Sequence, residues 1–204
     1  RVAEHFMNKH DELDNTVFLA GNIGPDCGVP NEDWSAFTPS GDITHWRGAD
    51  GKINAEAFKD AYLQTKDENY LFYLGYYFHL LTDLEWARFY ERKKLEALYA
   101  EGFAADKNFI WTAKKDWYGQ DAVYLMNNAN SVFFTRFSKI SDFPNVYLDY
   151  FPDNAFTRQF NYITDYYNES IKTEDPARKF TYLSKDEMDE FIERTIAVLE
   201  AVPR

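Results

Sequence analysis

The chain has 204 residues, of which 19% are aromatic, and its 34 acidic against 22 basic residues leave a formal charge of -12. That balance disfavours nucleic acid and anionic lipid as partners, because Lys93, Lys94, Lys107, Lys114 and Lys115 alternate with Glu91, Glu96, Glu101 and Asp106 and read as a solvated face. A single cysteine, Cys27, excludes an intrachain disulfide and with it a disulfide-dependent secreted scaffold.

No Gly/Ser or Pro tract divides residues 1–204, so one α-helical domain is expected, with enough aromatic area for a single core. No run reaches the roughly 18 apolar residues that a bilayer-spanning helix needs. The opening RVAEHFMNKHDELD lacks the charged-then-apolar plan of a signal peptide, from which a cytoplasmic location is expected. Its helical pattern is already under way at Arg1, so further residues are expected ahead of it.

In chain order, apolar positions 2, 3, 6 and 7 predict a helix to about His10, and TVFLAGNI a second short apolar segment. Gly21, Gly24, Pro25, Gly28 and Pro30 then read as breaks, and the chain to about residue 54 reads as one long structured loop anchored by Trp34, Phe37, Ile43 and Trp46. Helical spacing resumes at AEAFKDAYLQ behind Asn54 as N-cap, and again from about residue 68 to 98 with a break near Asp83 to Trp86. Further helices are expected around 107–117, 119–138, 154–171 and 185–201. Pro152, Asp153 and Asn154 open the third of these, and Ser184 with Glu187 open the last at capping-box spacing. FPNVYLDYFP, between Phe143 and Pro152, reads as an irregular packed connection. Alternating strand patterns are nearly absent, so the fold class is all-α, a bundle of about seven helices with one long loop.

The segment FYLGYYFHLLTDLEW, residues 72–86, carries the strongest chemical signal. His79 and Asp83 are four residues apart, which stacks an imidazole and a carboxylate on one face of an otherwise apolar helix. Such groups bury only if they bond each other or hold a cation. Of the four histidines, His45 in DITHW also sits in a polar-aromatic setting, and Asp26 in GNIGPDCG stands in a tight turn. Asp26, His45, His79 and Asp83 together form a donor set suited to zinc and tolerable to other divalent transition metals. Its two carboxylates neutralise a divalent ion.

GNIGPD, THW and LGYYFHLLTD resemble, in that order, the Asp, His and HxxxD elements of the zinc-dependent phospholipase C and single-strand nuclease superfamily, most closely its bacterial phospholipase C-like branch. The resemblance covers roughly residues 1–90. It implies an α-helical fold, metal-dependent phosphoester hydrolysis, and a zinc site at Asp26, His45, His79 and Asp83, with Asp83 able to bridge to a second metal. The family's trinuclear centre also uses an early histidine, for which His5 is the candidate, and a later histidine followed by an HxxxE pair. This chain has no histidine after His79. Carboxylates would have to replace that later trio, and Glu85, Asp116 and Asp121 are the candidates for this and for acid-base catalysis. DWYGQD, residues 116–121, reads otherwise as a turn between helices with a capping aspartate. His10 reads as an exposed helix-end residue and Cys27 as a buried inert thiol.

The expected activity is therefore hydrolysis of a small-molecule or lipid phosphoester. The alternative is a non-catalytic ligand-binding or structural module whose single metal pins residues 22–54 to the central helix. A third reading leaves His79 and Asp83 as a metal-free hydrogen-bonded pair.

Overall fold

A computed structural model describes residues 1–13 and 16–203. Among them lie ten α-helices: α1 (Val2–Lys9), α2 (Thr16–Ile23), α3 (Gly41–Thr44), α4 (Ala55–Tyr62), α5 (Tyr70–Lys93), α6 (Ala97–Ala105), α7 (Phe109–Asn127), α8 (Val132–Thr135), α9 (Ala155–Thr173) and α10 (Lys185–Glu200). Two strands of two residues each, β1 (Val29–Pro30) and β2 (Phe37–Thr38), pair antiparallel with Val29 opposite Thr38. The fold is all-α, and no helix among the described residues is long and apolar enough to cross a membrane.

The organising element is α5, 24 residues long. Its first half is apolar on every side, with Phe72, Tyr73, Leu74, Tyr76, Tyr77, Phe78 and Leu80 all buried, as expected of a helix packed all round. Phe18, Leu19 and Ala20 of α2, Phe58 of α4 and Phe156 and Phe160 of α9 complete this main core. The connection between Phe143 and Pro152 closes it: Tyr147 stacks on Phe72 at 4.0 Å, while Asn145 holds the Leu148 and Phe151 carbonyls, each at 2.8 Å. The second half of α5 is covered differently. Trp86 and Phe89 pack with Trp117 of α7 and with Met188 and Phe191 of α10.

Helix ends follow local chemistry where the sequence spells it out. The Asn54 side chain accepts from Ala57 N, and Ser184 and Glu187 form a full capping box. Asn154 precedes α9 without a side-chain cap bond.

Several expectations are corrected. No break occurs near Asp83 to Trp86; α5 runs through, and the chain leaves the helix only after Lys93. The expected break between 117 and 119 is also absent, because α7 is continuous across it, so DWYGQD lies inside a helix and not in a turn. Gly21 belongs to α2 and breaks nothing. The long loop is ordered into a 3-10 turn (Gly24–Asp26), the small hairpin, α3 and an isolated bridge between Arg47 and Ile53.

The lysines do not all share a solvated face. Lys93 is buried between Glu96 and Glu187, at 2.6 and 2.7 Å, and Lys114 is half-buried. His10 is likewise half-buried, its ring stacked on Phe6.

Candidate metal centre

Two glycines set the stage. A Cβ at Gly21 would collide with the Phe72 carbonyl, and one at Gly75 with the Phe18 carbonyl, so α2 and α5 cross in backbone contact only because both residues lack side chains. This close approach brings the Asn22 carbonyl, near the end of α2, within 2.6 Å of His79 Nδ1 on α5. His79 Nδ1–H therefore donates to Asn22 O, which leaves the Nε2 lone pair facing the other way.

His45 is held in the same sense. It follows α3, and its Nδ1 lies 3.2 Å from Gly41 O and 3.1 Å from Thr44 Oγ1, again leaving Nε2 outward. The Thr44 carbonyl accepts from Tyr76 of α5, which fixes this turn to the central helix. Trp46, next along, adopts a positive φ of 51° and packs its indole on Phe58 and Tyr62, so the chain reverses immediately after the histidine.

Asp26 ends the 3-10 turn that continues α2. The Arg158 guanidinium of α9 donates to the carbonyls of Cys27 at 2.6 Å and Gly28 at 3.1 Å and so anchors the chain just past it. The Cys27 thiol is buried and directed at Ile23 O, away from the donors, and burial raises it well above its ordinary pKa.

These segments bring four side chains together. One donor atom each from Asp26, His45 and His79 lie within 4.8 Å of one another. Asp83 Oδ2 stands 3.3 Å from His45 Nε2 and 3.4 Å from His79 Nε2. Asp26 Oδ1 is 3.5 Å from His45 Nε2, and its Oδ2 is 3.8 Å from His79 Nε2.

Such separations are long for hydrogen bonds. They suit donors sharing an ion, since two ligands at zinc-like distances on a tetrahedral centre stand about 3.3–3.6 Å apart. The longest separation involves Asp26, whose side chain is 60% exposed and forms the open side of the cluster. The fit is sharpened by His79 Nε2, which is fully buried and has no hydrogen-bond partner. A buried nitrogen in that state is costly unless something binds it.

Without an ion, the charges lean on each other. Burial pushes the His79 imidazole down, but the Asp83 and Asp26 charges and the Asn22 carbonyl outweigh it and raise the group to about 10. Burial works to raise Asp83 and Asp26, yet the facing imidazoles hold both below the usual carboxylate range. His45 is raised by the two carboxylates against its own burial.

A cavity of about 380 Å³ opens beside the cluster and is lined by His79, Asp83, Trp86, Trp117, Tyr118 and Asp121 among others. Of the nominated acids, Asp121 is the one on its wall. Its Oδ2 accepts from Tyr167 at 2.9 Å, and burial raises its carboxyl above the ordinary value.

The other nominated residues are engaged elsewhere. Glu85 is buried between Arg88 and Arg194. Asp116 is buried against Arg178 at 2.7 Å and accepts from Tyr182 N at 2.6 Å. His5 sits on α1 with its Nε2 3.2 Å from Glu200.

Sequence reasoning missed Asn22, whose signal was a lone amide near the end of an apolar helix. It also missed Trp117 and Tyr118, which looked like ordinary packing residues.

No family model matches this chain, and comparisons with curated proteins and with solved structures return no match.

Proposed function

We propose that the chain is a metal-dependent hydrolase of a phosphoester, with zinc held by Asp26, His45, His79 and Asp83. The observation that carries this reading is the convergence of Asp26, His45 and Asp83 on the buried His79 Nε2, which makes no hydrogen bond. The ordered resemblance of GNIGPD, THW and LGYYFHLLTD to the phospholipase C-like family supports the choice of chemistry. A divalent ion at such a site supplies Lewis acidity toward a phosphoryl oxygen and lowers the pKa of water.

The chain's own residues divide the remaining tasks. His45 and His79 would hold the ion through Nε2, each oriented by a carbonyl on its other nitrogen. Trp86, Trp117 and Phe191 give the cavity an apolar wall that limits water. Asp121, on the same wall and kept protonated more readily by its burial, is placed to give a proton to a leaving oxygen, while Tyr167 orients it.

A structural role is the second reading. It is favoured by the count of protein donors, since four on one zinc make a closed site, and these four tie residues 22–54 to α5.

The test combines elemental mass spectrometry on protein purified without a histidine tag with a turnover assay on bis(p-nitrophenyl) phosphate and p-nitrophenyl phosphorylcholine. Bound zinc with turnover that disappears on chelation and returns with zinc supports the hydrolase. One tightly held zinc with no turnover on either substrate supports the structural role, and protein that takes up no metal sinks both.

A further inference from the structure

A second cavity, of about 260 Å³, is lined by Arg1, Ala3, Asn22 and Asp121, which also line the cavity that exposes His79 and Asp83. The two spaces therefore adjoin, and Asp121 stands where they meet. Beyond that shared edge the wall is apolar. Leu19 and Ile23 come from α2, Leu125 from α7, Val132 and Phe133 from α8, and Ile163 from α9. Protein interiors are close-packed, so an apolar space of this size forfeits contacts unless a ligand restores them. Apolar cavities of about 150 Å³ take up benzene, and on that scale about 260 Å³ holds roughly ten non-hydrogen atoms.

Most polar groups on this lining are already engaged. Glu4 accepts from Val132 N and from the Tyr124 hydroxyl, both at 2.8 Å. The Asn22 amide donates to Phe18 O, and Arg1 is committed to Asp189 and to the face of Tyr124. Asp121 accepts through Oδ2 from Tyr167 at 2.9 Å, and its Oδ1 takes no hydrogen bond among the described residues. One oxygen of this acid is thus left to meet a ligand, at the edge shared with the donor cluster's cavity.

Charge narrows the ligand further. With Arg1 committed, a carboxylate or phosphate inside the chamber would be buried without a partner. Burial favours the uncharged form of Asp121, and an uncharged acid pairs with a hydroxyl better than with an ammonium.

We propose that this chamber binds the uncharged, apolar alcohol half of the substrate, a single ring or short chain of roughly ten non-hydrogen atoms whose oxygen meets Asp121. The space is too small for a pair of long acyl chains, so the substrate class is a phosphoester of a compact apolar alcohol. The binding site stands on the chamber itself; that its occupant is the leaving side of an ester rests on the metal-site reading above. In hydrolysis the bond between phosphorus and this oxygen breaks and the oxygen of water joins phosphorus. The departing oxygen takes the Asp121 proton, and the attacking water gives Asp121 its own in return.

The test is calorimetric titration of the full chain with 2-indanol, with indane as the same body lacking the hydroxyl and 2-aminoindane as its amine. Zinc content is measured on every sample. 2-Indanol should bind the wild type, and indane should bind more weakly by roughly twofold to tenfold, the scale of one hydrogen bond. Asp121→Ala should erase that difference. Ile163→Trp and Phe133→Trp fill the chamber from α9 and from α8, and each should weaken 2-indanol by roughly tenfold or more, the scale of an overpacked contact. Both positions are half-buried and border empty space, so cooperative thermal unfolding should be kept.

A wild type that does not bind 2-indanol, or equal affinity in a folded chamber-filling variant, overturns the proposal; with zinc bound it leaves the metal site standing. Tighter binding of 2-aminoindane than of 2-indanol overturns the assignment of an alcohol. Binding of 2-indanol that the filling substitutions weaken, in protein that takes up no zinc, supports the chamber as a binding site and sinks the metal reading.

Discussion

His79 on α5 and Asn22 on α2 are joined by a 2.6 Å hydrogen bond from imidazole Nδ1–H to the main-chain carbonyl. The bond decides which nitrogen of the histidine is left for chemistry. It exists because two glycines let the helices touch. The behaviour of the centre under mutation and pH follows from that contact.

Replacing His79 by alanine removes a donor and leaves the Asn22 carbonyl without its partner. Zinc content should fall to near zero. Stability should fall by about 1–3 kcal/mol from the unmet carbonyl alone, plus whatever the bound metal contributes. Elemental analysis and urea unfolding of the variant check this; unchanged zinc content would remove His79 from the ligand set.

The metal-free protein should carry a pH signature. His79 is raised from an ordinary 6.5 to about 10. Its contribution to stability is therefore fully present below pH about 6.5 and is lost as pH rises through about 10. Asp83 is lowered, so its contribution is present above its unfolded value near 3.8 and is lost on acidification. Zinc needs both imidazoles neutral, so binding at pH 7 should release about one to two protons and tighten as pH rises. Calorimetry in two buffers of different ionisation enthalpy measures that release, and its absence would contradict the assigned protonation.

Gly75→Ala should be far more damaging than an ordinary helix substitution. A methyl at this position meets the Phe18 carbonyl and pushes α2 from α5, at a cost of about 1–3 kcal/mol. Because Asn22 moves with α2, zinc affinity should drop as well. Denaturant midpoints and competitive zinc titration together test the coupling; a stability loss with intact zinc affinity would show that the carbonyl contact is dispensable.

Asp116 and Asp121 should separate cleanly despite being neighbours on α7. Asp116→Asn weakens the buried contacts to Arg178 and Tyr182 and should cost about 1–3 kcal/mol of stability, while the turnover of the folded fraction is kept. Asp121→Asn should retain zinc and lower kcat by about a hundredfold or more, the scale of a lost proton donor. Parallel unfolding and steady-state kinetics read both outcomes, and full activity in the Asp121 variant would exclude it as the acid.

Local chemistry was legible in the chain. Asn54 and Ser184 cap their helices through bonds to residues three positions away, so their sequence neighbours suffice to predict them. The pairing of His79 with Asp83 is likewise one helical turn, and aromatic density around it announced a buried helix. Their polar-aromatic and tight-turn settings, and then the resemblance motifs, nominated His45 and Asp26, and these two lie with His79 and Asp83 in the folded chain.

What depended on distant neighbours was not legible. The stretch from Asp83 to Trp86 and the DWYGQD segment looked like helix breaks, yet α5 and α7 continue because packing partners on several sides outweigh local propensity. Three acids of similar sequence setting met different fates. Arg178, 62 residues away, claims Asp116, and Arg194 of α10 meets Glu85, while Tyr167 and the cavity receive Asp121.

Lys114 looked solvated, yet it is half-buried with its ammonium over the Trp111 and Trp117 rings. By itself the sequence determined the all-α class, the helix caps and the kinds of donor available to a metal. Only the tertiary structure decided which donors meet and which charges are neutralised, because those are set by contacts between segments far apart in the chain.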